Sequence, residues 1–235
     1  MIMGAWGIGR KKSPSTPTAA SYVQDGLIAM WDGIENAGWG THDDYATTWK
    51  DLIGSNDAAV KAGGSFGTSS LICDGTGIGA QDGSSIDSFR TMEVCLKDTG
   101  ALACFVAVVS SGNGNGVLIV KANLSFGFGY YSGTFFYPPT QAISSGATIS
   151  GLWDANPASN KENVAYVNGA QITRSQTEIG PGFGSGTKVT FGARQDAARP
   201  FTGDIYCVRL YSRALTAAEI AANYAVDAQR FNLSS

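Results

Sequence analysis

The chain has 235 residues, of which 31 are glycine, 11% aromatic and only 15% charged. A formal charge of −3 and a pI near 5.1 leave no basic footprint for nucleic acid, and no apolar run reaches the roughly 20 residues of a membrane span. Scarce charge with many glycines and aromatics suits short strands joined by tight turns, and an undivided β-sandwich of this length is ordinary.

Residues 1–21 read as an N-terminal arm and 22–235 as one sandwich domain. Arg10, Lys11 and Lys12 follow a short apolar start, the reverse of a secretory signal, which places its charges first. On this pattern the chain is not exported by that route. The stretch SPSTPT at 13–18 is linker chemistry without periodicity. Trp6 and Ile8 leave two readings open: a flexible tail, or an assembly arm whose apolar side chains dock on a neighbouring subunit.

A first strand is expected at 26–32 (GLIAMWD), followed by a long loop to residue 48 that carries Trp39, His42, Asp43 and Asp44. Long loops on rigid sandwiches carry function. Trp39 either stacks on a sugar face, with His42, Asp43 and Asp44 as hydrogen-bonding groups, or packs the loop on the sandwich. Asp43, Asp44 and Asp82 have the oxygen chemistry that calcium takes, without a regular D-x-D-x-D-G loop. Calcium is thus the one cofactor the residues leave open.

Further strands are expected at 70–75, 117–121, 147–153, 163–167, 171–174 and 188–191, with a hairpin turn at Asn168-Gly169. Residues 92–97 and 101–109 read as a strand pair that would set Cys95 opposite Cys104. The four cysteines (Cys73, Cys95, Cys104, Cys207) fit no C-x-x-C pattern. They read as buried thiols, a Cys95–Cys104 bridge being the alternative. From 123 to 137 the chain alternates, with Phe126, Phe128 and Tyr130 on one face and Ser125, Gly127 and Gly129 on the other. That aromatic face is either core or a stacking platform, and Trp153 has the same two readings.

The last strand, 203–211, places Ile205, Cys207 and Tyr211 on one side and Tyr206, Val208 and Leu210 on the other. Two apolar faces call for cover on both sides. Arg209, if buried, needs a carboxylate or carbonyl partner. Thr216 then sits at an N-cap, with Glu219 completing a capping box and Leu215 and Ile220 at staple spacing. Ile220, Tyr224, Ala228 and Phe231 recur at helical spacing and should dock that helix. About a dozen strands and one late helix define an all-β sandwich with a short C-terminal helix.

In this order the motifs resemble the laminin-G-like, concanavalin A-like lectin/glucanase jelly-roll superfamily, in its bacterial and phage branch. GLIAMW at 26–31 is similar to the opening strand. WKDLIG at 49–54 is similar to a D-L-S-G turn, with Ile53 in place of Ser, and VAYVNG at 164–169 to a hairpin in which Asn168 replaces Asp. FTGDIYCVRLYSRALTAAEI at 201–220 is similar to the closing signature. The resemblance spans residues 22–231 and implies a two-sheet antiparallel jelly roll used to bind glycans or proteins.

In the laminarinase-like branch of such jelly rolls the carboxylates stand on one strand as E-x-D-x-x-E. None of Glu35, Glu93, Glu162, Glu178 and Glu219 opens that pattern. Other hydrolases use two carboxylates on separate strands, which spacing does not exclude. His42 beside two aspartates is not a triad, no G-x-S-x-G elbow is present, and GTGIG at 75–79 opens no helix. The expected protein is a non-catalytic binding or structural module. It is read as a bacteriophage virion-surface protein (head decoration, head fibre or tail-associated adhesin) attached to host or environmental glycans and forming homo-oligomers, such as trimers, through the arm. The alternatives are a secreted or cell-surface bacterial carbohydrate-binding module, and a glycoside hydrolase using Glu93 or Glu162.

Overall fold

A computed structural model of the chain describes residues 16–83, 86, 89–98, 103–109, 116–122, 125–130, 134–135, 145–152, 164–172, 188–194 and 196–233. After a 3-10 turn at Ala19–Ser21, the strands are β1 (Leu27–Asp32), β2 (Thr48–Trp49), β3 (Ala58–Val60), β4 (Gly64–Phe66), β5 (Leu71–Asp74) and β6 (Ala80–Asp82). They continue as β7 (Thr91–Asp98), β8 (Ala103–Val109), β9 (Gly116–Ala122), β10 (Ser125–Tyr130), β11 (Thr134–Phe135) and β12 (Ala147–Leu152). Last come β13 (Val164–Val167), β14 (Ala170–Ile172), β15 (Lys188–Phe191), β16 (Thr202–Tyr211) and the helix α1 (Ala217–Arg230).

The strands form two antiparallel sheets. The first has the order β14-β13-β12-β7-β16-β5-β4, with β1 also paired to β16; the second runs β11-β10-β9-β8-β15-β6-β3-β2. This is the sandwich the sequence led us to expect. Its hub is β16, which pairs with β7 along one edge, while β5 and β1 share the other, at Thr202 to Ile205 and Cys207 to Tyr211 respectively.

Between the sheets lies an apolar layer in which Trp31, Trp49, Phe105, Phe191 and Phe201 are fully buried. The Phe191 ring meets Trp31 at 4.9 Å and Trp49 at 5.2 Å between centroids, within the range where offset and edge-on aromatic pairs attract. Alternation along β7 turns Met92, Val94 and Leu96 into this layer and leaves Glu93 and Cys95 on the outer face. Outside the first sheet lies a second cluster, in which Tyr22, Met30, Leu215, Ile220 and Phe231 pack beneath α1.

Three local expectations are corrected. First, β7 and β8 do not pair with each other: β7 lies between β12 and β16, and β8 between β9 and β15 in the opposite sheet. Alternating apolar runs satisfy a sandwich equally well by facing each other across the core. Cys95 and Cys104 are therefore in different layers, and all four cysteines are free and buried. Burial pushes the Cys104 thiol up to about 12.

Second, the register of β16 shifts between Ile205 and Cys207. A bulge adds one residue and reverses the alternation beyond it. Ile205 therefore joins Val208 and Leu210 in the inter-sheet core, while Cys207 and Tyr211 face α1. Third, the buried face of α1 is Ile220, Asn223 and Asp227, whereas Tyr224 and Ala228 are half-buried. The helix docks through polar groups that an apolar period does not register.

The capping box is present as expected: the Thr216 hydroxyl accepts from the Glu219 backbone N–H, and Glu219 accepts from that of Thr216. Leu215 and Ile220 are both buried in the cluster under α1. At the β13–β14 turn, Asn168 and Gly169 have φ of 51° and 77°, the left-handed pair of a tight hairpin.

Candidate functional site

Two polar regions stand out, one sealed and one open. The sealed one lies between the first sheet and α1. Arg209, fully buried, donates from Nε to Glu93 Oε2 at 3.0 Å and from Nη1 and Nη2 to both oxygens of Asp227 at 2.8 and 2.7 Å. Asn223 donates to Glu93 Oε2 and Ser150 to Glu93 Oε1, while Tyr22 and Thr148 donate to Asp227. Arg209 thus has the carboxylate partners its burial demands.

A second guanidinium, Arg230, forks onto Asp32 and reaches Glu35 Oε1 at 3.2 Å. Burial pushes the Glu93 and Asp32 carboxyls upward, opposed by the adjacent Arg209 and Arg230 respectively. Both carboxylates are acceptors for several donors, so their geometry is that of a structural lock. Glu93, a residue a hydrolase would have used, has no exposed surface.

The open region is built on the loop after β1. Asp32 Oδ1 accepts from the backbone N–H groups of Ile34 and Glu35, and Glu35 Oε2 accepts from that of Gly40. Asn36 clips the loop shut, donating from Nδ2 to Asp43 O and accepting from Asp43 N, both at 2.8 Å. The loop is therefore braced by its own side chains. Asp51 performs the same service next door, accepting from the backbone of Met30, Ile53 and Asn56.

The sequence-expected residues on this loop divide. Trp39 is 48% exposed and donates its indole N–H to Leu52 O at 2.7 Å, so part of the ring packs the loop down. Asp43 Oδ1 accepts from Tyr45 N, a turn-stabilising role. His42 has Nδ1 at 3.1 Å from Ile34 O and Nε2 at 2.9 Å from Asp44 Oδ1, which orients the Asp44 carboxylate. Asp82 lies buried on β6 in the second sheet. Among the described residues no three His, Cys, Asp or Glu side chains gather in a way that could hold a metal ion.

Trp6, Ile8, Trp153, Glu162 and Glu178 lie outside the described residues, as does the side chain of Tyr130 on β10.

Asp44 borders a pocket of about 250 Å³ with Tyr45, Thr47, Val60, Ser65 and Phe66. The pocket sits where the end strand of the first sheet, β4, approaches β3 and the run into β2, the end strand of the second. Glycine shapes its wall: a Cβ on Gly64 would lie 2.3 Å from Gly79 O, so no other residue lets β4 approach that closely. Phe66 forms an apolar floor, held edge-on to Trp49 at 5.9 Å. Thr47 is pinned by its carbonyl, which accepts from Val60 N at 2.9 Å.

Tyr45 is 91% exposed, although its backbone is fixed by the Asp43 turn. Sequence reasoning stopped at Trp39 and passed over Tyr45, two residues beyond an aspartate that could make such a turn.

The arrangement belongs to a recognised family. A model of the concanavalin A-like lectin/glucanases superfamily matches residues 95–221, and the chain is a member of that superfamily. Among solved structures it is similar to Trypanosoma rangeli sialidase in complex with sialic acid, at a TM-score of 0.64 and 15% identity over 89% of this chain and 33% of that one. The same sialidase with 2,3-difluorosialic acid as a covalent intermediate gives 0.63 and 15% over 91% and 35%. The chain thus spans about a third of those enzymes, and the likeness is one of fold. A carbohydrate-binding module of a Ruminococcus gnavus sialidase, bound to α2,3-sialyllactose, shows 18% identity over 58% of this chain and 82% of that one, with a TM-score of 0.47. No curated protein sequence matches the chain.

Proposed function

We propose that this chain is a non-catalytic glycan-binding module whose ligand site is the pocket between the sheet edges. The observation that carries the reading is Tyr45: an aromatic ring held by a fixed backbone, 91% exposed, beside an oriented carboxylate. Stacking faces flanked by a few placed polar groups are what sugar rings require. The non-catalytic part is supported by Glu93, whose carboxylate is spent on Arg209, Asn223 and Ser150 beneath the helix. Glu219 is likewise engaged, by Arg213 and the cap of α1.

The finer placing is as a virion-surface component of a bacteriophage, with residues 1–21 as the N-terminal arm that assembles through Trp6 and Ile8. Support comes from the linker composition of 13–18 and from the firm root that follows, where Ala19 N donates to Glu35 Oε1 at 2.9 Å.

A glycan array of the wild-type protein and Tyr45→Ala tests the binding role; saturable binding lost in the variant is the expected result, and binding indifferent to Tyr45 refutes the site. Sizing the protein with and without residues 1–15 tests the arm. An oligomer that dissociates on truncation is expected, and a monomer in both cases refutes assembly through it.

A further inference from the structure

We infer that the edge pocket selects an uncharged terminal sugar ring and rejects anionic sugars, a conclusion that rests on the glycan-binding reading above. The argument is one of charge inventory. Of the groups that line the pocket, Asp44 alone carries a formal charge, and Lys or Arg is absent from the lining. Lys50 is engaged elsewhere, with Nζ at 2.5 Å from Asp57 Oδ2, and the exposed Lys61, which follows Val60 in the chain, is not among the lining residues.

The carboxylate is aimed. Asp44 Oδ1 is held by His42, and His42 is held in turn by Ile34 O; Asp44 Oδ2 has no donor among the described residues. An ionised carboxylate only accepts hydrogen bonds, so the complementary ligand presents hydroxyl or amide donors. The hydroxyls of Thr47 and Ser65, which both donate and accept, suit the remaining hydroxyls of a neutral ring. Tyr45 supplies the stacking face, and Val60 and Phe66 an apolar floor.

Size points the same way. At about 250 Å³ the pocket falls below the ~300–1,000 Å³ of sites that enclose drug-sized ligands, so it holds one ring and leaves the rest of a glycan in solvent. A carboxylated sugar in that position would set its charge against the Asp44 carboxylate, and the lining itself holds no Lys or Arg to offset it. The glycans that suit this site therefore differ in charge from the sialyllactose bound by the Ruminococcus gnavus module.

The experiment is a titration of the full chain against matched pairs of glycans, each with and without a terminal sialic acid, at low and high salt. Wild type, Tyr45→Ala and Asp44→Asn are compared, with circular dichroism confirming the fold of each. We expect neutral termini to bind and sialylation of the same terminus to weaken binding at least about tenfold, or ~1.4 kcal/mol. That gap should narrow in high salt and in Asp44→Asn. Tyr45→Ala should abolish binding to the neutral partner.

Equal or tighter binding of the sialylated partner, still lost in Tyr45→Ala, would overturn the charge selectivity and leave the glycan-binding reading standing. Neutral binding unaffected by Tyr45→Ala would move the site away from this pocket and overturn the inference. No binding of any glycan would overturn both.

Discussion

Beneath α1, Glu93, Asp227 and Asp32 are completely buried, and every one of their carboxylate oxygens meets a donor from Arg209, Arg230, Asn223, a hydroxyl or the backbone. At the sheet edge, Asp44 uses one oxygen on His42 and keeps half of its side chain in water, while Tyr45 beside it is almost fully exposed. The two regions hold similar side chains in opposite states of commitment. A polar group whose capacity is consumed within the fold specifies the fold, and one that is oriented but unspent is available to a ligand. That difference assigns Glu93 to structure and is the ground on which Asp44 is proposed for recognition, although sequence alone gives both the same standing.

The comparison breaks most easily on the sealed side. Arg209→Ala would strand Glu93 and Asp227 as buried, uncompensated charges, and breaking such a pair by removing one partner costs about 3–5 kcal/mol. Urea unfolding followed by tryptophan fluorescence should show this loss; a change under about 1 kcal/mol would mean that water reaches the seam. A smaller effect is expected at Glu35, which joins three elements by accepting from Ala19 N, Gly40 N and Arg230 Nη2. Glu35→Ala leaves those donors unmatched, at about 1–3 kcal/mol. Hydrogen exchange should quicken together at the Ala19 and Gly40 amides, and protection unchanged at both would show that the root and the loop are held by other contacts.

What the sequence made legible was local. The capping box at Thr216 and Glu219 depends on residues three apart, and the Asn168-Gly169 turn on two neighbours, so both could be read directly. Arg209 could be recognised as needing an acid. Its partners, Glu93 and Asp227, are 116 and 18 residues away, and no short period marks them. The same distance problem hid the assignment of β7 and β8 to opposite sheets, since an alternating run does not say which strand it pairs with. The bulge in β16 left no glycine to announce it, because an ordinary residue, Tyr206, lies at the register shift. At the candidate site, the loop was legible from its length and composition, but the choice between Trp39 and Tyr45 depended on which aromatic the Leu52 carbonyl captured.

The capping pair outside the seam gives a milder test. Side-chain hydrogen bonds from Arg213 hold the Glu219 carboxyl well below its ordinary 4.5, at about 2. A depressed folded value means that the ionised form stabilises the fold. The contribution is present above pH 4.5 and lost as the pH falls from 4.5 through about 2. Glu219→Gln should therefore cost about 1 kcal/mol at neutral pH, in line with the loss of a capping interaction, with solvent screening reducing the ion-pair share. The variant should show a shallower loss of stability across that acid window. A slope equal to that of the wild type would assign the acid sensitivity to other carboxylates.

The smallest expected effect on stability is the one that most sharpens the contrast. Tyr45 buries almost nothing, so Tyr45→Ala should change the unfolding free energy by less than about 0.5 kcal/mol, the usual range for surface substitutions. A single exposed aromatic ring is ordinary on a protein surface, so the variant's effect on glycan binding, and not its exposure, decides what Tyr45 does. If Tyr45→Ala leaves stability unchanged while removing glycan binding, the open region is recognition machinery and the sealed one is scaffold. If it instead destabilises the protein by more than about 1 kcal/mol, the ring is packed in solution against a neighbour such as Trp39 or a second copy of the chain. The distinction between spent and unspent groups would then fail at the residue on which it most depends.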